Sequence, residues 1–482
     1  MSDKSYGSYH IKTFGCQMNH SDSERIASFL ESNGFVLAEK AENADLVIIN
    51  TCGVRQAAEN RVYSLVNNLR KNSDQRTKDN RLIIITGCIA HRKDVQRRLR
   101  DKVNLFFPIN DFKEFENFII ENCLKIENWS LKIPEQDNIT NKESIDYLSI
   151  NPKYSNNYEA FVPIMTGCNN FCAYCVVPYA RGREVSRPAD EILTEVNTLI
   201  SSGYKHIVLL GQNVNSYKSP VHKVYKVHKV HKEKTKEIDF AKLLKKINSI
   251  PGKFWVSFVS SHPKDMSDEL IEAVAKCKKV CEWIHLPVQA GNDEVLRRMN
   301  RNYTSKHYLG LVRKINRAFK KHKPETPYAI TTDVIVGFPG ETRTQFADSA
   351  LVMEKAKYDM VYFGQYSPRP GTVAWKMKDN VSKKEKERRE NVLNEILKKT
   401  IFANNKKYVG KVVEVLIEKR RAREVEPPIG GSTSTLRQFI YFGKTRTMKN
   451  IKIAANKKIP VGSFMKVKVA KANVWNLEGE IK

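Results

Sequence analysis

No apolar run reaches the roughly 18 residues that a membrane-spanning helix needs. The first ten residues are polar and lack the apolar stretch of a secretory leader. A soluble, cytoplasmic protein is expected. Acidic residues are scarce: 53 Asp and Glu stand against 82 Lys and Arg, a net charge of +29. That imbalance points to a polyanionic partner, nucleic acid first and a membrane surface second. Cysteine is too sparse for a disulfide scaffold, at nine in 482 residues. An odd count in a reducing compartment points instead to metal ligation or catalysis. With 41% hydrophobic residues the chain is no disordered tail, and its length predicts about three domains.

The first segment alternates short apolar runs with helical patterns. Strands are expected over Tyr9–Phe14, Asp45–Asn50 and Leu82–Thr86, which implies a parallel sheet covered on both faces. Each strand runs into a glycine and a cysteine: Gly15-Cys16, Cys52-Gly53 and Gly87-Cys88. The carboxyl ends of parallel strands form a ligand crevice, so Cys16, Cys52 and Cys88 are expected to converge there. Residues 126–157 are polar, aperiodic and read as a linker.

From residue 158 a second βα series begins. Its candidate strands are Phe161–Thr166, His206–Gly211, Phe254–Ser261, Trp283–Gln289, Ile330–Gly337 and Met360–Tyr366, a partial parallel barrel. A Val-His-Lys repeat over Ser219–Glu237 interrupts it and reads as an expanded loop. After a charged helix from Ser382, short strands at Val412–Ile417, Phe439–Phe442, Ile451–Ile453 and Phe464–Val469 suggest a small antiparallel β-barrel. Lys376–Lys482 holds 27 Lys and Arg against 11 Asp and Glu, so positive charge concentrates there. The expected fold is thus α/β, with domains at 1–125, 158–400 and 401–482 around the linker.

Cys168, Cys172 and Cys175 form CxxxCxxC directly after a strand. Three thiolates in one loop suit three irons of a cubane and leave the fourth open. A zinc site usually takes a fourth protein ligand, and a CxxC redox pair would not need Cys168.

This motif at the start of a βα barrel resembles the radical S-adenosylmethionine superfamily. Thr13-Phe14-Gly15-Cys16-Gln17-Met18-Asn19, Asn50-Thr51-Cys52 and Thr86-Gly87-Cys88 are similar to the N-terminal domain of its methylthiotransferase branch. Gly410-Lys411-Val412 and Gly443-Lys444-Thr445 resemble a TRAM domain, an OB-like RNA-binding barrel. The resemblance implies a Rossmann-like first domain, a (β/α)6 radical core and two 4Fe-4S clusters. Cys168, Cys172 and Cys175 would hold the first, which binds S-adenosylmethionine. Cys16, Cys52 and Cys88 would hold the second, which carries the sulfur to be transferred.

The same resemblance implies cofactor contacts at Tyr174, Gly211, Gln212, Asn213, Ser261, Gln289, Gly337 and Glu341, with no catalytic residue beyond the cluster ligands. Arg181 and Arg183 are candidate clamps for a carboxylate or phosphate. Ser367–Thr372 is expected at the substrate mouth. Val177–Glu184 and Gly211–Asn215 are most similar to members acting on N6-dimethylallyladenosine at position 37 of tRNA. Their implied chemistry is methylthiolation of C2, a carbon that acid–base catalysis would not activate. Implied partners are the tRNA anticodon loop, a reductant such as flavodoxin or ferredoxin, and an unidentified sulfur donor. Alternatives are methylthiolation of N6-threonylcarbamoyladenosine, modification of a ribosomal-protein aspartate, and a non-catalytic iron–sulfur RNA-binding sensor. Cys123, Cys277 and Cys281 are left over and read as ordinary packing or surface thiols; the last two are i, i+4, and a shared helix face there would suit a metal pair.

Overall fold

Continuous runs of branched aliphatic residues build a sheet buried on both faces. The computed structural model describes residues 7–53, 56–71, 81–123, 147–220, 237–424 and 437–482. Strands β1 (Ser8–Phe14), β2 (Val36–Leu37), β3 (Leu46–Thr51), β4 (Leu82–Gly87) and β5 (Leu105–Phe106) pair in parallel, in the order β2-β1-β3-β4-β5. Helix α1 (Gln17–Ser32) and the helix Phe112–Cys123 cover one face through Ile26, Leu30, Phe112 and Phe115. Helix α2 (Gln56–Lys71) and the helix Lys93–Leu99 cover the other through Val62, Val66, Val95 and Leu99. Phe14, Thr51 and Gly87 stand side by side in one row. The segments carrying Cys16, Cys52 and Cys88 therefore leave the same edge of the sheet.

The second half of the expected linker is packed structure. Tyr147 and Leu148 are buried in the first domain's core, in a short turn at Tyr147–Ser149. Lys153 N donates to the Glu24 carbonyl at 3.1 Å, and Ser155 N to Glu24 Oε1 at 2.8 Å. Such irregular backbone carries no period for a sequence to betray. Residues 124–146 lie outside the described residues, as does 221–236 of the Val-His-Lys repeat.

All six expected barrel strands are present. They are β6 (Glu159–Pro163), β9 (His206–Leu210), β10 (Trp255–Phe258), β11 (Trp283–His285), β12 (Ala329–Val336) and β13 (Met360–Gln365), with a small antiparallel pair, β7 (Met165–Thr166) and β8 (Val185–Ser186), at the first loop. They form two parallel sheets, β10-β9-β6 and β11-β12-β13. A single parallel bridge, Val256 to Val280, spans from the first sheet toward β11. In its sheet β13 is an edge strand. The β11 strand ends sooner than its apolar run: Leu286 N still donates to the Thr331 carbonyl at 2.8 Å, but the next donor, Val288 N, goes to the Thr332 hydroxyl at 2.8 Å instead of the ladder.

A closed five-stranded barrel ends the chain: β14 (Val412–Glu424), β15 (Arg437–Thr445), β16 (Asn450–Ala455), β17 (Phe464–Ala472) and β18 (Leu477–Ile481). It differs from the expectation in two ways. It has the extra strand β18, and β16 pairs with β18 in parallel, the other four seams being antiparallel.

This barrel docks against the central one through buried groups. The Trp255 ring lies 4.8 Å from Phe464, and its Nε1 donates to Glu414 Oε2 at 2.8 Å. Glu282 is 3% exposed and accepts from Arg446 at 2.7 Å and Lys323 at 2.6 Å. Cys281 packs between Trp255 and Leu416, and burial pushes its thiol up to about 12. Cys277 caps a helix that ends at Lys276, so the two cysteines do not share a helix face. Among the described residues no helix is long and apolar enough to cross a membrane.

Glu282→Ala should strand two cations in this seam. The expected loss is about 3–5 kcal/mol, as for breaking a buried ion pair from one side. Urea unfolding of the variant beside the wild type checks it.

Candidate functional site

Two groups of cysteines face each other across the junction of the first two domains. Cys52 N donates to the Phe14 carbonyl at 3.0 Å, and Cys88 N to the Thr51 carbonyl at 2.8 Å, so the ladder extends into the cysteine turns. Gly87 permits this with φ of +86°, where a Cβ would strike the Thr51 carbonyl. Cys88 and Arg181 both lie within electrostatic reach of Cys16. Cys88 also packs on Val176 and Ala180, which follow the CxxxCxxC loop.

That loop is held from three sides. Gly167 enters it with φ of +75°, and a Cβ there would strike the Arg183 carbonyl. Asn300 Nδ2 donates to the carbonyls of Asn170 at 3.1 Å and Phe171 at 3.0 Å. Arg301 is buried; its Nη1 lies 3.4 Å from Cys172 Sγ and its Nη2 donates to the Pro287 carbonyl at 3.0 Å. Burial raises the Cys168 and Cys175 thiols, so in the metal-free loop these two are neutral. Ligation would release their protons. Among the described residues no three Cys, His, Asp or Glu side chains close on a single ion. A cubane takes its thiolates on separate corners.

Backbone strain gathers at the same place. Six described non-glycine residues have left-handed φ, and four of them are Phe171, Ser260, Gln289 and Asn300. All four lie in the cysteine loop, at strand ends or in the segment that braces that loop. Such clustering marks a functional site.

A cavity of about 960 Å³ opens between the domains, lined by Tyr174, Val176, Gln289 and Asp333 from the barrel and by Gln56 and Ala57 of α2. Arg369, in the expected mouth segment, bridges its wall: Nη1 donates to Gln56 Oε1 at 2.8 Å and lies 3.4 Å from Glu59. Glu59 is itself paired with Arg92 at 2.7 Å.

The ends of β9 and β10 carry buried polar atoms without a partner: Gln212 Oε1, Asn213 Oδ1, Ser261 Oγ and His262 Nε2. Buried polar groups are ordinarily satisfied, so this set fits a polar ligand such as S-adenosylmethionine. His262 Nδ1 accepts from Lys264 N at 3.2 Å, which leaves the proton on the unpartnered Nε2. Burial, Arg301 and Lys264 lower its pKa to about 2, so it stays neutral.

Of the eight expected cofactor contacts, Tyr174 and Gln289 line the cavity, and Gln212, Asn213 and Ser261 supply three of the orphaned atoms. Gly211 packs on Met165 and Val214. Gly337 and Glu341 are turned toward the helix Lys383–Lys406: Glu341 accepts from Gly337 N at 2.8 Å and from Arg389 at 2.8 Å. Arg181 is no clamp. It is buried against Asp22 of α1, tying the cysteine loop to the first domain. Arg183 lies 4.5 Å over the Phe171 ring. The sequence reading missed His262, Asn300 and Arg301. His262 had a usable signal, following Ser260-Ser261 at a strand end; Asn300 and Arg301 reach the loop only through the fold.

Comparison with known proteins agrees with this architecture. The Radical SAM superfamily model matches residues 162–353, and Uncharacterized protein family UPF0004 matches residues 8–107. A tRNA-2-methylthio-N(6)-dimethylallyladenosine synthase of Clostridium botulinum (strain Hall) is 41% identical over 98% of this chain and 97% of its own. One from Clostridium perfringens (strain SM101) is 40% identical over the same shares. The structure of a radical S-adenosylmethionine methyltransferase, TsrM, from Kitasatospora setae superposes with a TM-score of 0.50 at 12% identity, covering 77% of each chain. At that identity the likeness concerns the fold alone.

Asp22→Asn should leave Arg181 buried without its counter-charge and cost about 3–5 kcal/mol. Adding Arg181→Met should restore part of that loss. Urea midpoints of the two variants test both expectations, and an uncoupled pair would show no recovery.

Proposed function

This chain belongs to the tRNA-2-methylthio-N(6)-dimethylallyladenosine synthase family, and from that membership we propose that it methylthiolates C2 of N6-dimethylallyladenosine at position 37 of tRNA. The observation that carries the reading is near full-length identity to these synthases, joined to a cavity walled by both cysteine-bearing domains.

Cys168, Cys172 and Cys175 would hold one 4Fe-4S cluster, and Cys16, Cys52 and Cys88 a second. Gln212, Asn213 and Ser261, with their orphaned atoms, would hold S-adenosylmethionine beside Tyr174 and Gln289. Gly211 and Gly337 would approach it through backbone. Glu341 acts through Gly337, whose N–H it fixes. When bound, these cofactors supply the radical and sulfur chemistry that an unactivated adenine carbon requires.

The protein's own share is placement. Arg301 sets a buried positive charge beside the Cys172 sulfur, favouring the more negative state of whatever that sulfur ligates. Asn300 holds the loop backbone in its left-handed turn. Arg369, Gln56 and Glu59 keep the second domain's last loop on α2, so the cavity stays walled from both sides. The target base, unpaired in an RNA loop, can leave its stack to enter at modest cost. The basic C-terminal barrel would hold the RNA backbone with salt-sensitive affinity. A cytoplasmic setting, a flavodoxin or ferredoxin reductant and a separate sulfur donor complete the proposal.

Anaerobic turnover of iron-reconstituted protein with S-adenosylmethionine, reductant and dimethylallyladenosine tRNA should give a methylthio nucleoside by mass spectrometry. Product only from threonylcarbamoyladenosine tRNA would change the substrate; absence of cofactor cleavage in loaded protein would favour a sensor. Cys172→Ala should abolish cofactor cleavage. Cys52→Ala should keep cleavage and lose methylthiolation, and loss of both would count against separate clusters. Arg301→Met should shift the first cluster's midpoint potential downward, whereas Arg301→Lys should largely preserve it.

A further inference from the structure

Tyr362 borders two depressions. One is the cavity between the first two domains. The other, of about 340 Å³, lies in the seam between edge strand β13 and the C-terminal barrel. Trp283, Tyr362 and Trp475 wall this second depression, with Asn405 among its lining. Tyr362 is 49% exposed and Trp475 50% exposed, so half of each ring is open to solvent. The Tyr362 ring meets His285 edge-on at 5.9 Å, and with Trp475 it forms a flat apolar surface on which a ligand ring can stack. Trp283 is fixed from behind: its Nε1 donates to Thr331 Oγ1 at 2.9 Å, and its ring stacks on His285 at an interplanar angle of 29°.

Asn405 sets the polar requirement. It is 2% exposed, and its Nδ2 donates to the carbonyls of Asn473 at 2.8 Å and Val474 at 3.0 Å. Those two bonds fix the amide, and its Oδ1 is a buried acceptor with no partner. The lone cation in the lining, Lys449, is held by Asp359 at 2.8 Å. The depression therefore offers aromatic walls and one buried unpartnered acceptor, with Asn450 and Asn476 also in its lining and its one cation already paired. That suits a nucleobase with an exocyclic amino group and does not suit a phosphate. Positive charge lies farther out: Lys466, Lys468 and Lys471 are exposed along β17.

We propose that this seam is a second nucleobase pocket, which seats an unpaired RNA base neighbouring the adenosine delivered to the cavity. The inference rests on the RNA substrate proposed above. Tyr362 lines both sites, so they adjoin across one side chain and a single-stranded loop can reach both. The basic barrel beside them complements its backbone. Seating a flanking base would hold the loop splayed while the reacting base stays in the cavity.

The test is equilibrium binding of the full-length protein to an anticodon stem-loop carrying dimethylallyladenosine, at one fixed salt concentration. Trp475→Ala should weaken binding about ten-fold, within the range for losing one base–aromatic stack. Trp475→Phe should restore most of it, which separates stacking from misfolding. Single abasic positions are then placed beside the modified adenosine. One of them should weaken wild-type binding by a similar factor and add nothing in Trp475→Ala. Equal affinity of Trp475→Ala and wild type, or additive losses at every abasic position, would overturn the pocket. If wild type still forms the methylthio nucleoside from this RNA, that failure belongs to the pocket alone. A wild type that binds the RNA with this coupling but forms no product would instead sink the enzymatic reading.

Discussion

Two parallel β-systems meet by their carboxyl ends, and the buried Arg181–Asp22 pair is where they are pinned. Parallel strands present loops, not flat faces, at that end. Opposing two such ends gives a cavity walled by loops from both domains. Arg181 follows the CxxxCxxC loop by six residues, and Asp22 follows Cys16 by six. One ion pair thus fixes the distance between both cysteine groups. Taking two charges out of water is costly, and such a pair earns little stability by itself. Its worth here is geometric. Arg369 with Gln56 and Glu59 repeats the tie across the cavity.

Much of this architecture was legible in the sequence because the relevant signals are local. Leu46–Thr51 and Leu82–Gly87 are short apolar runs closed by glycine and cysteine, and they are strands with those residues at their ends. CxxxCxxC needs no tertiary information to be noticed. The six barrel strands were found for the same reason. Hidden features were those made by distant contacts. Arg181 looked like an anion clamp because a sequence gives charge and not its neighbour; Asp22 lies 159 residues away. Residues 147–155 look like linker because Tyr147 and Leu148 enter the core from one short turn and Lys153 and Ser155 are held by single bonds to Glu24, none of which repeats with a period. The parallel β16–β18 seam was invisible because strand direction follows from closure of the barrel, not from composition.

The site combines satisfied and unsatisfied chemistry in a telling division. Around the cysteine loop nearly every polar side chain has a job: Asn300 and Arg301 brace it, and Glu341 is occupied by Gly337 and Arg389. At the ends of β9 and β10 the reverse holds, with four buried polar atoms idle. Rigid support beside unspent hydrogen-bonding capacity is the pattern of a preorganised ligand site. His262 sharpens it, since its fixed neutral tautomer presents a donor without adding charge next to Arg301.

That β13 pairs with a strand on one side only has a consequence for scale. A closed barrel admits only what fits down its axis, so the size of the whole substrate is limited by the ring of strands. A wall split along one strand imposes no such limit. A macromolecule many times wider than the barrel can approach sideways, insert a single residue and withdraw along the same path. Neither arrival nor departure then requires strands to part, and discrimination falls to the lip of the slot rather than to its bore.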